Sequence, residues 1–352
     1  MKLKENFKLP IEGLVLERYD GLLIVRSRDT MRVLSSAILN GGLRETRCLL
    51  NMTVPPMYDS SNPEEEILKV QVSLGIEDVV GMMTAADVGK AAVKCKSGVL
   101  VVATAGASNA ATPGEHVTIW RNGTVNIFVI VENDLTDEAL ANCFITITEA
   151  KALAFRTLDI RSVNSGGPAT GTTTDSIAVA TLGNGEASRY ASTATDIGRI
   201  MGELVYQSVV QNLVENNGVG IDRPVLKRAL ERKVAIEAHI QRIAEVSGHP
   251  IDYGMFKELM GKRLDDVSRN LYIAGMKMID ESLDSTKNGQ SPSMAESLAL
   301  IALSICERLG GDDPRSKLQS ELGKGTYKND IAGDPFFILT LGLVMGMMDG
   351  GT

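Results

Sequence analysis

Two periodicities divide this chain. Up to about residue 215, runs rich in Val, Ile, Leu and Thr, bounded by Gly, Asn or Pro, recur at 21–27, 31–39, 46–54, 99–105, 125–131 and 176–181. Runs of that length and composition predict strands. Helices are predicted between them. Asn62-Pro63-Glu64-Glu65-Glu66 combines a cap, a first-turn proline and three acids that suit a helix N-terminus. Thr136-Asp137-Glu138 caps a second helix reaching about Leu158. Thr195-Asp196 opens a third, with Ile200, Leu204, Val205 and Val209 on one face. From Asp222 onward the strand runs disappear and capped helical patterns follow one another, ending in an apolar stretch over 336–348 that reads as a buried helix. The segment from Asn216 to Gly220 predicts a linker. The expected architecture is an α+β N-terminal domain over 1–215, a mixed sheet with packed helices, followed by an all-α C-terminal domain over 222–352.

Two domains also suit the length of 352 residues. The formal charge of −8 divides as −6 before residue 222 and −2 from residue 222 onward, so neither part is a charged tail. That balance argues against a nucleic-acid partner or an anionic membrane surface. The run at 336–348 is too short to span a bilayer, and the first residues lack a signal peptide's apolar core. Cys48, Cys95, Cys143 and Cys306 are far apart, which disfavours a disulfide framework and fits a cytoplasmic protein. His116, His239 and His249 form no metal-binding pair, so a histidine-rich zinc hydrolase is not expected. A homo-oligomer is compatible with all of this.

Candidate chemistry concentrates in five small-residue segments at strand ends or turns. They are 34–42 (Leu34-Ser35-Ser36-Ala37 to Asn40-Gly41-Gly42), 81–86 (ending Thr84-Ala85-Ala86), 103–110 (with Gly106, Ser108 and Asn109), 146–152 (Thr146-Ile147-Thr148-Glu149-Ala150-Lys151-Ala152) and 169–176 (with Thr172, Thr173, Thr174 and Asp175). Glycine and alanine let a ligand approach the backbone, and the amides and hydroxyls offer neutral hydrogen bonds. Taken singly, each also reads as a tight turn. Together, from about Val33 to Gln211, they resemble the adenosylcobinamide amidohydrolase family; the segments around Thr146–Lys151 and Ala169–Ala180 carry most of the resemblance. It implies hydrolysis of the amide joining cobyric acid to its aminopropanol arm, a corrinoid salvage step with adenosylcobinamide as substrate.

Amide hydrolysis needs an attacking group, a proton acceptor and donors for the oxyanion. Glu149 is the leading candidate base, for water or for a threonine hydroxyl. Lys151, two positions on, projects elsewhere on the helix and is a candidate anchor for a carboxylate or amide oxygen. If 172–175 is extended, Thr172 and Thr174 face one side and Thr173 and Asp175 the other, so that Asp175 could orient a hydroxyl. Which group attacks stays open; His116 is a further acid/base candidate. Ser35, Ser36, Asn40, Gly41, Gly42, Thr84, Ser108 and Asn109 are the expected substrate-binding residues. No cofactor is expected in this domain. The competing reading of Glu149 and Lys151 is a solvated helix surface.

The second domain, through Ala229–Ile240, Leu264–Val267, Ala274–Glu281 and the element Asn329-Asp330-Ile331-Ala332-Gly333, resembles the all-helical phosphatidylglycerophosphatase A-like fold, which α-ribazole-5′-phosphate phosphatases also use. That family's acidic pair has Asn329 in its first position here. The resemblance implies a divalent cation, Mg²⁺ by the chemistry of oxygen ligands, with Glu237, Glu296, Asp330 and Asp334 as candidate ligands and Lys324 beside the phosphate of α-ribazole 5′-phosphate. Together the two resemblances describe a bifunctional cobamide salvage enzyme. Two alternatives stand beside it: an amidohydrolase whose helical domain serves oligomerisation or interaction, and a non-catalytic corrinoid-binding protein.

Overall fold

A computed structural model describes residues 2–118, 123–220, 222–248, 250–285, 292–310 and 313–349; His249 lies outside the described residues. It divides into two compact units, Met1–Asp222 and Arg223–Thr352.

The strands of the first unit are β1 (Leu3–Lys8), β2 (Leu14–Tyr19), β3 (Leu22–Ser35), β4 (Gly42–Thr53), β5 (Val80–Thr84), β6 (Ala92–Lys96), β7 (Val99–Ala105), β8 (Ala110–Ala111), β9 (Val125–Leu135), β10 (Gly171–Thr172) and β11 (Ser176–Ser188). Its helices are α1 (Pro63–Ser73), α2 (Asp137–Thr157) and α3 (Asp196–Asn217). Nine strands form one curled mixed sheet, and β8 and β10 form a separate pair. The long strand β3 is the branch point. Its first half pairs with β2, its second half with β11, and β4 runs beside both halves. The runs expected at 21–27 and 31–39 are therefore one strand, with a register shift between Arg26 and Met31. β9 and β11 are parallel, with α2 in the connection between them; β7 is antiparallel to β9.

Period-2 alternation decides what each face covers. On β7, β9 and β11, Val99, Val101, Val125, Ile127, Val129, Ile177 and Val179 pack against α2 and α3. Their neighbours Leu100, Val102, Phe128, Ile130, Ala178 and Ala180 face the inside of the curl, where they meet Leu16, Val25, Val33, Leu49 and Met82. α1 covers the outer face of β3–β5 through Ile67. These strands read as nearly unbroken apolar runs because both faces are covered.

α3 continues to Asn217 and ends on Gly218 in a left-handed conformation (φ 57°), so the expected linker is helical as far as Asn217. The second unit is all-helical: α4 (Val225–Glu231), α5 (Ile236–Ser247), α6 (Tyr253–Arg263), α7 (Asp266–Ser285), α8 (Pro292–Leu309), α9 (Pro314–Lys324), α10 (Lys328–Gly333) and α11 (Phe336–Asp349). α11 lies in the core. A Cβ at Gly342 or Gly346 would fall 2.6 or 2.8 Å from the Ala302 or Cys306 carbonyl oxygen, so α8 and α11 touch backbone to backbone. Among the described residues, no helix is long and apolar enough to cross a membrane.

Candidate active site

Where the apolar interior of the curl reaches one end of the sheet, it becomes polar. The register places Thr104 of β7 opposite Asn126 of β9, and Asn126 opposite Ser176 of β11. Each continues the inward-facing positions of its strand. Asn51 of β4 reaches across the curl to join them. Its Nδ2 donates to Thr104 Oγ1 (2.9 Å), and its Oδ1 accepts from Asn126 Nδ2 (2.8 Å). Asn126 Nδ2 also donates to the Met83 carbonyl oxygen of β5 (2.8 Å). Asn51, Thr104 and Asn126 are all buried. Ser35 and Thr84 are buried on the same inward alternation, and Thr84 Oγ1 accepts from Ala86 N (3.0 Å). Ser36 Oγ meets Ser176 Oγ at 3.2 Å and accepts from Ile177 N.

The opposite face of the sheet carries a second cluster, built on Asp175. This carboxylate pairs with Lys151 of α2, and both side chains are only 11% exposed. It also accepts from Thr172 N and Val125 N, each at 3.0 Å, and from Thr172 Oγ1. Asp175 is thus fully occupied in holding the turn before β11 against β9 and α2. Beyond Thr172 the chain turns at 173–174 and does not take the extended arrangement considered for 172–175, because Asp175 folds back on Thr172, a habit of Asp and Thr side chains. Thr172 and Thr174 do share a partner, the Gly123 carbonyl oxygen, at 3.3 and 2.8 Å. Asn109 Nδ2 donates to Thr173 Oγ1 (2.7 Å). Two glycines make room here. A Cβ at Gly171 would lie 2.3 Å from Asp175 Oδ2 and 2.6 Å from Lys151 Nζ; one at Gly123 would lie 2.3 Å from Asn109 Oδ1 and 2.8 Å from Ser108 Oγ.

All five segments therefore contribute to one end of the sheet, with two exceptions in detail. Glu149 is exposed on α2, on the stripe of exposed Ile145 and Leu153, away from both clusters. The helix turns about 200° between Glu149 and Lys151, so the residue that reaches Asp175 cannot share its direction. Asn40 and Gly41 lie in the β3–β4 connection, and Gly42 opens β4. Asn40 (φ 56°) donates to Val79 O (2.9 Å), and Gly42 has φ 88°. His116 is exposed beside Glu115, and Glu115 is held by Ser162. Asn51 and Asn126 escaped the sequence reading. Their signal was a single polar residue at an inward position of an otherwise apolar run, in Cys48-Leu49-Leu50-Asn51-Met52 and Val125-Asn126-Ile127-Phe128.

The second unit does not gather its four candidate carboxylates. Glu237 and Glu296 are exposed on α5 and α8. Asp330 pairs with Arg242 (3.1 Å), and Asp334 with the buried His239 (2.9 Å). Among the described residues, no three His, Cys, Asp or Glu come together as a metal site. The four do not fit a divalent ion as they stand, because partners on other helices already hold two of them. Lys324 pairs with Glu321 at the rim of a cavity of about 440 Å³ that Lys317, Ser316, Ser320 and Tyr327 also line.

A curled mixed sheet whose interior ends in hydroxyls and carboxamides presents neutral hydrogen-bonding groups at that end. The chain belongs to the adenosylcobinamide amidohydrolase family, whose model matches residues 10–220. It is 30% identical over 249 residues to an uncharacterised protein of Methanocaldococcus jannaschii, covering 61% of this chain and 95% of that one. It is also 29% identical over 185 residues to an adenosylcobinamide amidohydrolase of Methanosarcina mazei, covering 50% of this chain and 86% of the relative.

Proposed function

We propose that the first unit hydrolyses the secondary amide between the corrinoid side chain and the aminopropanol arm of adenosylcobinamide. Water adds across the C–N bond. Its oxygen goes to the carbonyl carbon and a proton to the nitrogen, giving adenosylcobyric acid and 1-amino-2-propanol. The observation that carries this reading is the convergence, in a chain of this family, of the segments around residues 35, 84, 104, 126 and 176 on one hydroxyl- and carboxamide-lined end of the sheet. Lys151 and Asp175 keep the turn before Ser176 in place, and their charges neutralise one another. Polarisation of the amide then falls to the hydroxyls of Thr104, Ser176 and Ser36. No disulfide joins the four cysteines, which suits a reducing cytoplasm. The test is direct: incubate the whole chain with adenosylcobinamide and measure aminopropanol release. Release at the uncatalysed rate rejects the reading.

For the second unit, the α-ribazole 5′-phosphate phosphatase reading is supported by Asp330-Ile331-Ala332-Gly333 and by the lysines beside the cavity. Because the four carboxylates do not fit a divalent ion, we route no step through one. Phosphate release from α-ribazole 5′-phosphate by the whole chain, with and without Mg²⁺, separates this reading from that of an interaction module.

A further inference from the structure

Asn126 is 1% exposed, and both of its amide hydrogens are committed, one to Asn51 Oδ1 and one to the Met83 carbonyl oxygen. A carbonyl oxygen only accepts, so the Asn126 nitrogen must lie on that side and the orientation of the carboxamide is fixed. Its Oδ1 is then left buried with no hydrogen-bond partner among the described residues. A buried acceptor without a donor is uncommon enough to require an explanation. The hydroxyl of Ser35, on the same inward face, is also buried without a partner. Two such atoms on the one polar end of the interior mark a place where a ligand completes the hydrogen bonding.

We propose that Asn126 Oδ1 accepts a hydrogen bond from the N–H of the substrate's secondary amide, which makes Asn126 a substrate-binding residue. The proposal rests on the amidohydrolase reading and names the group that the site recognises. The flanking Thr104 and Ser176 hydroxyls can donate or accept, but the free atom of Asn126 only accepts. The scissile bond carries one donor, its N–H. The carboxylate left by hydrolysis carries none, so the same oxygen favours the amide and opposes the acid product. An uncharged carboxamide does this without changing with pH. Asn51 and Met83 serve to aim it.

The experiment compares initial rates for adenosylcobinamide and for its N-methylated, tertiary-amide analogue, with inhibition by adenosylcobyric acid, in wild type and Asn126→Leu. One lost hydrogen bond corresponds to roughly a tenfold change. Wild type should prefer the secondary amide by about that factor. Asn126→Leu should lose the preference through a higher KM, with product inhibition unchanged or stronger. Three results overturn the proposal: equal weakening of substrate and product, which marks a structural role; a fall in kcat at constant KM, which marks a contact made only in the transition state and not with the bound amide; or a preference that survives the substitution. Should the variant not fold, the wild-type preference decides alone, and discrimination below about twofold overturns the assignment. If wild type releases no aminopropanol, the function reading falls separately. The ligands then survive, and the same comparison is made by equilibrium dialysis on corrinoid absorbance.

Discussion

Replacing Lys151 by methionine keeps most of the side chain's volume and removes its charge. Asp175 is left behind with both side chains of the former pair 11% exposed, and with three remaining donors: Thr172 N, Thr172 Oγ1 and Val125 N. Removing one member of a buried pair costs about 3–5 kcal/mol. Hydrogen bonds to a charged group contribute roughly 1.5–3 kcal/mol each, so the surviving donors place the expected loss near the lower end, at about 3 kcal/mol. Lys151→Met with Asp175→Asn removes the stranded charge and keeps one of the two acceptor oxygens, while the new NH2 opposes Thr172 N or Val125 N. It should recover about 1 kcal/mol, a coupling of the size seen for groups in contact. Hydrogen exchange of the α2 and β11 backbone amides, measured in the whole chain across urea concentrations, follows unfolding of the first unit. A single-variant loss below about 1 kcal/mol would match an exposed pair. Either that result or additivity within about 0.5 kcal/mol would show that the pair does not anchor the turn.

Glu149→Gln should keep amide hydrolysis within about threefold, since Glu149 is exposed away from the polar interior; a hundredfold loss, the size expected of a missing general base, would move the chemistry to the outer face of α2. Gly171→Ala should lower both stability and activity by displacing Lys151 from Asp175, and wild-type melting with full activity would mean that the turn relaxes freely. Burial pushes the Tyr272 phenol from its ordinary 10.0 to about 12, ahead of the smaller effects of Thr340, Asp334 and Arg232. The folded chain favours the neutral phenol, so this stability is complete below pH 10 and is lost as pH rises from 10 to about 12, a change on the order of 3 kcal/mol. Tyr272→Phe should flatten alkaline unfolding over that window; an unchanged profile would assign it to other groups.

The helices α2 and α3 and the strands β7, β9 and β11 were legible because each is long, strongly periodic and bounded by caps or turn residues. The curl was not. It depends on which strand lies across from which, and Asn51 meets Asn126 from 75 positions away in the chain. β1 is fully exposed and β2 carries Glu17, Arg18 and Tyr19, so neither reads as an apolar run. In the candidate site, the small-residue segments were visible as composition. Which of their side chains act as struts was not, because Asp175 takes its partners from α2, β9 and its own turn. The pairings of the second unit's acids were not legible for a related reason: Arg242 reaches Asp330 from 88 positions earlier in the chain, a pairing that no local pattern encodes.

The shared strand β3 sets where this chain can absorb extra residues. Four residues, 27–30, lie between the halves of β3, opposite the single Arg47 of β4. Extra residues there lengthen an existing irregularity and leave both sets of pairings intact. One residue added between Met31 and Ser35 would instead exchange the two faces of that half-strand. Ser35 would turn out of the interior and Leu34 into it. Loop tolerance and site integrity thus meet within five positions of a single strand, and insertions among relatives should collect on the 27–30 side of that line.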